Sequence, residues 1–137
     1  MFSKLKESIW IASGWTIVIF ILLTLPTESL PEEEIFDISD FDKLVHVAIF
    51  GIFLWFWVHW WAARKAPEPT KISDILVIFL IACAYGIGME FYQKYFTTRN
   101  FDIGDIYADS AGAGVAGIVY IISKKISPYR NRGRNQN

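Results

Sequence analysis

The sequence has one cysteine, two histidines and five prolines in 137 residues, and charge is scarce wherever its apolar residues gather. The single thiol, Cys83, excludes an internal disulfide, and its place in the middle of an apolar run assigns it to packing. HExxH, paired CxxC, GxSxG and a glycine-rich phosphate loop are all missing, so the familiar zinc-peptidase, α/β-hydrolase and P-loop readings fall away. No internal repeat, low-complexity tract or second soluble domain is visible. What is abundant is hydrophobicity: 53% of residues are apolar, 17% are aromatic and mean hydropathy is +0.32, high for a soluble single domain.

The apolar residues fall into four blocks, each testable against a hydrocarbon core about 30 Å thick, which takes roughly 20 helical residues. The first, 9–25, has no charge and is stopped by Pro26. Lys4 and Lys6 precede it as they would a signal peptide, but the run exceeds a usual signal core and TLPTE lacks a small-x-small cleavage pattern. The others are expected at about 43–63, 72–96 and 105–123, which makes the fold an all-α bundle of four transmembrane helices. Residues 26–41 form an acidic loop on the outer surface, where PEEE is suited to start a short helix, and 124–137 form a basic tail. In the fourth block Ala108, Gly112 and Ala116 recur every four residues. Small residues on that rhythm let helix backbones approach in lipid, which makes this face a candidate surface for helix packing or for a homo-oligomer.

Basic residues set the orientation, since cytoplasmic loops hold the excess. Lys4, Lys6, Arg64, Lys65, Lys71, Lys124, Lys125, Arg130, Arg132 and Arg134 lie in the N-terminal tail, the second connection and the C-terminal tail, leaving only Lys43, Lys94 and Arg99 elsewhere. Both termini are therefore expected in the cytoplasm. The net charge of −1 conceals this asymmetry and excludes a nucleic-acid partner; the basic tail is a topology signal that also suits anionic lipid headgroups.

With that topology the second helix starts outside, the third ends outside and the fourth starts outside. Asp42 and His46, four apart, Glu90 and Gln93, three apart, and Asp105 and Asp109, four apart, then share one level, with Lys43, Arg99 and Asp102 nearby. Ionisable residues in a span cost about 2.5 to 3.5 kcal/mol at its centre and face a bundle interior or a wet cavity. A cluster confined to one end predicts a shared, extracytoplasmic polar pocket, with acid/base chemistry available to His46 and Glu90.

The segments DKLVH, EFYQ, TTRNFDIGD and DIYADSAGAGVAG resemble the VanZ-like family of small bacterial membrane proteins, over about 42–117. The family pattern has Asp-Lys with a His three residues beyond the Lys, then Glu-x-x-Gln, an Arg followed by an aromatic and an Asp, and Asp-x-x-Ala-Asn-x-x-Gly. By position this marks Asp42, Lys43, His46, Glu90, Gln93, Arg99, Asp102, Asp105 and Gly112 as characteristic; Asp109 departs from the pattern, which has Asn there. The resemblance implies a multi-helix protein of a bacterial cell membrane, related to a member associated with low-level resistance to the lipoglycopeptide teicoplanin. It supplies no settled reaction.

Plainer readings stand beside these. Asp42 and Asp105 are suited to helix N-termini, Lys43 to snorkelling, Arg99 to headgroup anchoring, and Trp55, Trp57, Trp60 and Trp61 to an interfacial belt. Glu90 resists such an account, because a carboxylate near a helix C-terminus meets an unfavourable dipole. His46, Glu90, Asp105 and Asp109 are acceptable metal ligands, yet each i,i+4 pair is also an ordinary helix neighbour, so neither metal nor cofactor is expected. Three functions follow in order: binding of a lipid-linked cell-wall precursor, a lipoglycopeptide or another amphiphile among the membrane lipids; an intramembrane enzyme on a phospholipid or polyprenyl-linked substrate, with Glu90 or His46 as base and Arg99 or Lys43 clamping phosphate; and a transporter, for which four short spans give a poor path.

Overall fold

The computed structural model describes residues 8–25 and 39–134. Among them the chain forms four helices and no strand: α1 (Ile9–Thr24), α2 (Ser39–Lys65), α3 (Ile72–Phe96) and α4 (Ile103–Arg134). α2, α3 and α4 are each long and apolar enough to cross a membrane. α1 is shorter; its 16 residues rise about 24 Å at 1.5 Å each, less than a full hydrocarbon core. Leu25 leaves α1 in an extended conformation, as expected for the residue before Pro26.

The expected bounds hold closely for α3. α2 begins earlier than residue 43, and α4 begins at Ile103 and continues well past residue 123 into the basic segment. Hydropathy marks where lipid ends, whereas backbone hydrogen bonding has no reason to stop there. The acidic loop up to residue 38, with its expected PEEE helix, lies outside the described residues.

The helices run up, down, up and down. α2 and α4 are parallel: Lys43 meets Asp102, His46 meets Asp109, and both Trp55 and His59 meet the ring of Tyr120. α3 runs against α4, pairing Cys83 near its middle with Ser110 (Sγ···Oγ 3.4 Å) and Ile75 near its start with Gly117. α1 lies along α2 and α3 and is pinned by polar atoms: Trp15 Nε1–H donates to the Ile49 carbonyl (2.9 Å), and the Tyr85 hydroxyl donates to the Thr16 carbonyl (2.9 Å). In an apolar medium such bonds hold helices together where hydrophobic burial has little force.

α2 and α4 share the most extensive interface, and glycine is why. A Cβ at Gly112 would overlap the Val47 carbonyl, and one at Gly51 would come within 3.3 Å of the Gly112 carbonyl oxygen. Ala108, Gly112, Ala113 and Gly117 are buried against the rest of the chain, and Ala116 is partly buried against the core. The small-residue face expected to serve packing or a homo-oligomer is therefore occupied within one chain. The core beside it is built from Phe50, Phe53, Leu54, Ala82, Met89 and Tyr120. The outward faces stay apolar, with Leu76, Val77, Leu80 and Ile81 on α3 and Val115, Ile118 and Ile122 on α4 exposed. A bundle apolar on both sides is built for lipid, not water.

Candidate functional site

The start of α2, the end of α3 and the start of α4 meet at one end of the bundle, so the charged residues of three separated segments become neighbours. His46 and Asp109 face each other because the α2–α4 glycine contact sits one turn further in. His46 is fully buried, and its Nδ1 lies 2.8 Å from Asp109 Oδ1. Its Nε2 points at Asp105 Oδ2, 3.8 Å away, beyond hydrogen-bonding range. Asp105 and Asp109 lie on one face of α4 by their spacing, and both are buried.

Glu90 enters from α3 and is also buried, one turn beyond Gly86, which packs against Asp109. Its Oε2 accepts the Asp102 N–H at 2.8 Å, tying the end of α3 to the beginning of α4. Among the described residues, four atoms at this level have no hydrogen-bond partner: His46 Nε2, Glu90 Oε1, Asp105 Oδ1 and Asp109 Oδ2. Buried polar groups left this way cost about 1–3 kcal/mol each, more when charged, unless water, an ion or a ligand satisfies them, so their gathering at one point marks a candidate site.

Two ion pairs rim the cluster. Arg99 Nη2 donates to Asp42 Oδ2 at 2.9 Å, and Lys43 Nζ lies 3.4 Å from Asp102 Oδ2. Pairs this exposed contribute only about 0.2–1 kcal/mol, so either cation can be redirected toward an incoming anion at little cost. Asp102 has further duties: its Oδ1 accepts the Gly104 N–H at 2.7 Å, the geometry of an N-cap, and its N–H serves Glu90. The Gly104 N–H, then Lys43, hold its carboxyl below the usual aspartate range.

These contacts settle several plainer readings. Asp102 caps α4, so capping does not explain Asp105, which stands a turn deeper and is buried. Gln93 is equally buried but serves α1: its amide Nε2 donates at 2.8 Å to the Leu23 carbonyl, which otherwise lacks an intrahelical partner at the end of that helix. It does not join the cluster. Near the far end, Asp74 accepts from Lys65 (2.9 and 3.0 Å) and from the Lys71 N–H (2.8 Å), closing the connection between α2 and α3. Trp57, Trp60 and Trp61 line a shallow apolar groove with Val77, Ile78 and Ile81, separate from the polar cluster.

One residue of the site was not singled out from the sequence. A Cβ on Gly86 would stand 2.5 Å from Asp109 Oδ2, so only glycine there leaves room for that carboxylate. An isolated glycine inside an apolar helix is the available signal, since it marks a close approach. Among the described residues, Asp42, His46 and Asp105 each offer a ligand atom within 4.8 Å of the others, the one grouping suited to a metal ion.

An uncharacterized protein of Schizosaccharomyces pombe is 30% identical over 111 residues, which make up 80% of this chain and 64% of the yeast protein. The chain thus spans just under two-thirds of the length of that relative. No solved structure matches. The VanZ/LLP1 family model matches residues 3–124, taking in two candidate membrane spans, all but the last residue of the third and every residue of the polar cluster, and the chain is a helical membrane protein that belongs to the VanZ/LLP1 family.

Proposed function

We propose that the polar end of the bundle binds the head of an amphiphile whose chains lie along the apolar faces of α3 and α4. The observation that carries this reading is the set of four buried, unpartnered polar atoms beneath the Arg99–Asp42 and Lys43–Asp102 rim. Three of the four are carboxylate oxygens, so the head that fits is rich in hydrogen-bond donors: sugar hydroxyls, an ammonium, or both. Lipid-linked cell-wall precursors and lipoglycopeptides such as teicoplanin have this chemistry, as do hydroxyl- and amine-bearing phospholipids, which a yeast relative would also meet. The proposed location is a bacterial cytoplasmic membrane with both termini inside, supported by the crowding of lysine and arginine into the tails and the α2–α3 connection.

Pull-down of envelope lipids and glycolipids on the purified protein tests the reading. His46→Ala and Glu90→Ala are expected to lose capture; equal capture by wild type and both variants would sink it. In cells, loss of the protein is expected to change teicoplanin susceptibility, with Glu90→Ala failing to restore it.

A second reading rests on the His46–Asp109 contact, because a carboxylate 2.8 Å from an imidazole is how a general base is oriented. In it the protein is an intramembrane enzyme on a phospholipid or polyprenyl-linked substrate. Turnover that depends on pH and disappears in Glu90→Gln would support it over simple binding.

A further inference from the structure

We infer that His46, Asp105 and Asp42 bind a divalent cation of the zinc or manganese type, with Asp109 orienting the histidine. The inference goes beyond amphiphile binding and stands without it.

The imidazole is the strongest argument. His46 has no exposed surface, its Nδ1 is taken by Asp109 at 2.8 Å, and its Nε2 has no hydrogen-bond partner among the described residues. An ionised Asp109 only accepts, so Nδ1 donates to it, and in the neutral imidazole that contact turns the Nε2 lone pair toward Asp105. A lone pair and a carboxylate oxygen 3.8 Å apart repel unless a cation lies between them, and a ring N–H on Nε2 would be too far from that oxygen to bond it. Two ligand atoms each about 2.0–2.2 Å from a common zinc ion stand roughly 3–4 Å apart, which this separation matches. A metal-ligating histidine usually gives its other ring N–H to a carboxylate or carbonyl, and Asp109 occupies that place.

Asp42 completes the set from the same face of α2. Its ligand atom lies within 4.8 Å of the other two, slightly wide of a closed zinc shell, but its side chain is 49% exposed and has room to swing inward. Arg99 engages Oδ2, while a carboxylate offers about four lone-pair sites. Charge points the same way. Asp105 and Asp109 are two buried carboxyls against one imidazole and Glu90 is a third buried at the same end, while Lys43 and Arg99 are paired with Asp102 and Asp42 at the rim. A dication offsets that excess at its centre. One imidazole with two carboxylates favours zinc or manganese over calcium or magnesium, which take oxygen alone, and over copper(I), which takes sulfur.

The alternative is an imidazolium held between Asp105 and Asp109 with no metal. The full chain, purified in detergent, stripped with chelator and free of added lipid, is titrated with Zn²⁺ and with Mn²⁺ by calorimetry, and with Co²⁺ by visible absorption. The expected result is one ion per chain, a cobalt spectrum with a nitrogen ligand, and a higher unfolding temperature with metal. His46→Gln and Asp105→Asn should weaken binding at least about 100-fold, and Asp109→Asn about 10- to 100-fold, the usual effect of an outer-shell partner. His59→Gln should bind as wild type does. Asp42→Asn lies at the half-exposed rim and leaves the buried groups in place, so a fall of about 10-fold there supports the assignment even where the buried variants fold poorly. No saturable one-to-one binding by wild type, or equal affinity in His46→Gln or in Asp42→Asn, overturns it.

Discussion

Replacing Gly112 with alanine adds one methyl group where α2 and α4 touch backbone to backbone. The new Cβ would lie 2.7 Å from the Val47 carbonyl carbon and 2.8 Å from its Cα, and closer still to the carbonyl oxygen. Ordinary carbon–carbon separation begins near 3.5 Å, so the helices must part by most of an ångström, and no flexible side chain is available to yield instead. Val47 adjoins His46 and Gly112 lies one turn from Asp109, so the same movement stretches the 2.8 Å His46–Asp109 contact beyond hydrogen-bonding range. Overpacking costs about 1–3 kcal/mol, loss of a charge-assisted bond about 1.5–3, and alanine returns about 0.5–1 in helix propensity, for a net loss of roughly 2–5 kcal/mol.

Gly88→Ala is the matched control, because nothing lies within 4 Å of a Cβ there. It should be neutral or gain up to about 1 kcal/mol. Unfolding by increasing sodium dodecyl sulfate in mixed micelles, followed by tryptophan fluorescence, measures both. Coincident midpoints for Gly112→Ala and wild type would refute the close α2–α4 contact, and with it the reason His46 and Asp109 meet.

Other expectations follow from single contacts. Gln93→Leu leaves the Leu23 carbonyl without its donor and should speed hydrogen exchange in α1, at a cost of about 1–3 kcal/mol, while sparing ligand binding at the polar cluster. Asp102 has a depressed carboxyl pKa, so its contribution to stability is present above the unfolded value near 3.9 and lost as pH falls through the lower folded value. The difference in denaturant midpoint between wild type and Asp102→Asn should therefore be constant from about pH 7 to 5 and shrink below about pH 4; a difference independent of pH down to full protonation would contradict the pairing. In a Cys83→Ser background, Asn100→Cys should react with an impermeant maleimide in intact cells, and Glu68→Cys only after permeabilisation; the reverse pattern would invert the topology.

Much of the site was legible because an ionisable residue in an apolar run is conspicuous. Asp42 with His46 and Asp105 with Asp109 could be placed on common helix faces from spacing alone, and alternating topology then put them at one level with Glu90. Direction within a level could not be read. Gln93 sits three residues from Glu90, close enough to expect a shared pocket, yet it turns to the end of α1 because an unpaired carbonyl there needs a donor. Which aspartate caps α4 was equally hidden, since Asp102 and Asp105 both suit a helix start and only the backbone trajectory selects Asp102. The glycine rhythm of α4 announced a close approach without naming its partner, and that partner proved to be Val47 of the same chain.

Asp109 is where sequence and structure illuminate each other most. The pattern the chain resembles has asparagine at this position, and an amide can present either a donor or an acceptor to His46 Nδ1. An ionised carboxylate presents only an acceptor, which holds a proton on Nδ1, so that in the neutral ring the bare nitrogen is Nε2, facing Asp105. The second oxygen of Asp109 then needs a place, and the missing side chain at Gly86 provides it. Asp109→Asn thus keeps the shape of the site while releasing the tautomer. If the buried imidazole acts through a bare Nε2, metal affinity should fall in this variant while amphiphile capture through Glu90 persists. If the pocket works by shape and polarity alone, both should survive unchanged.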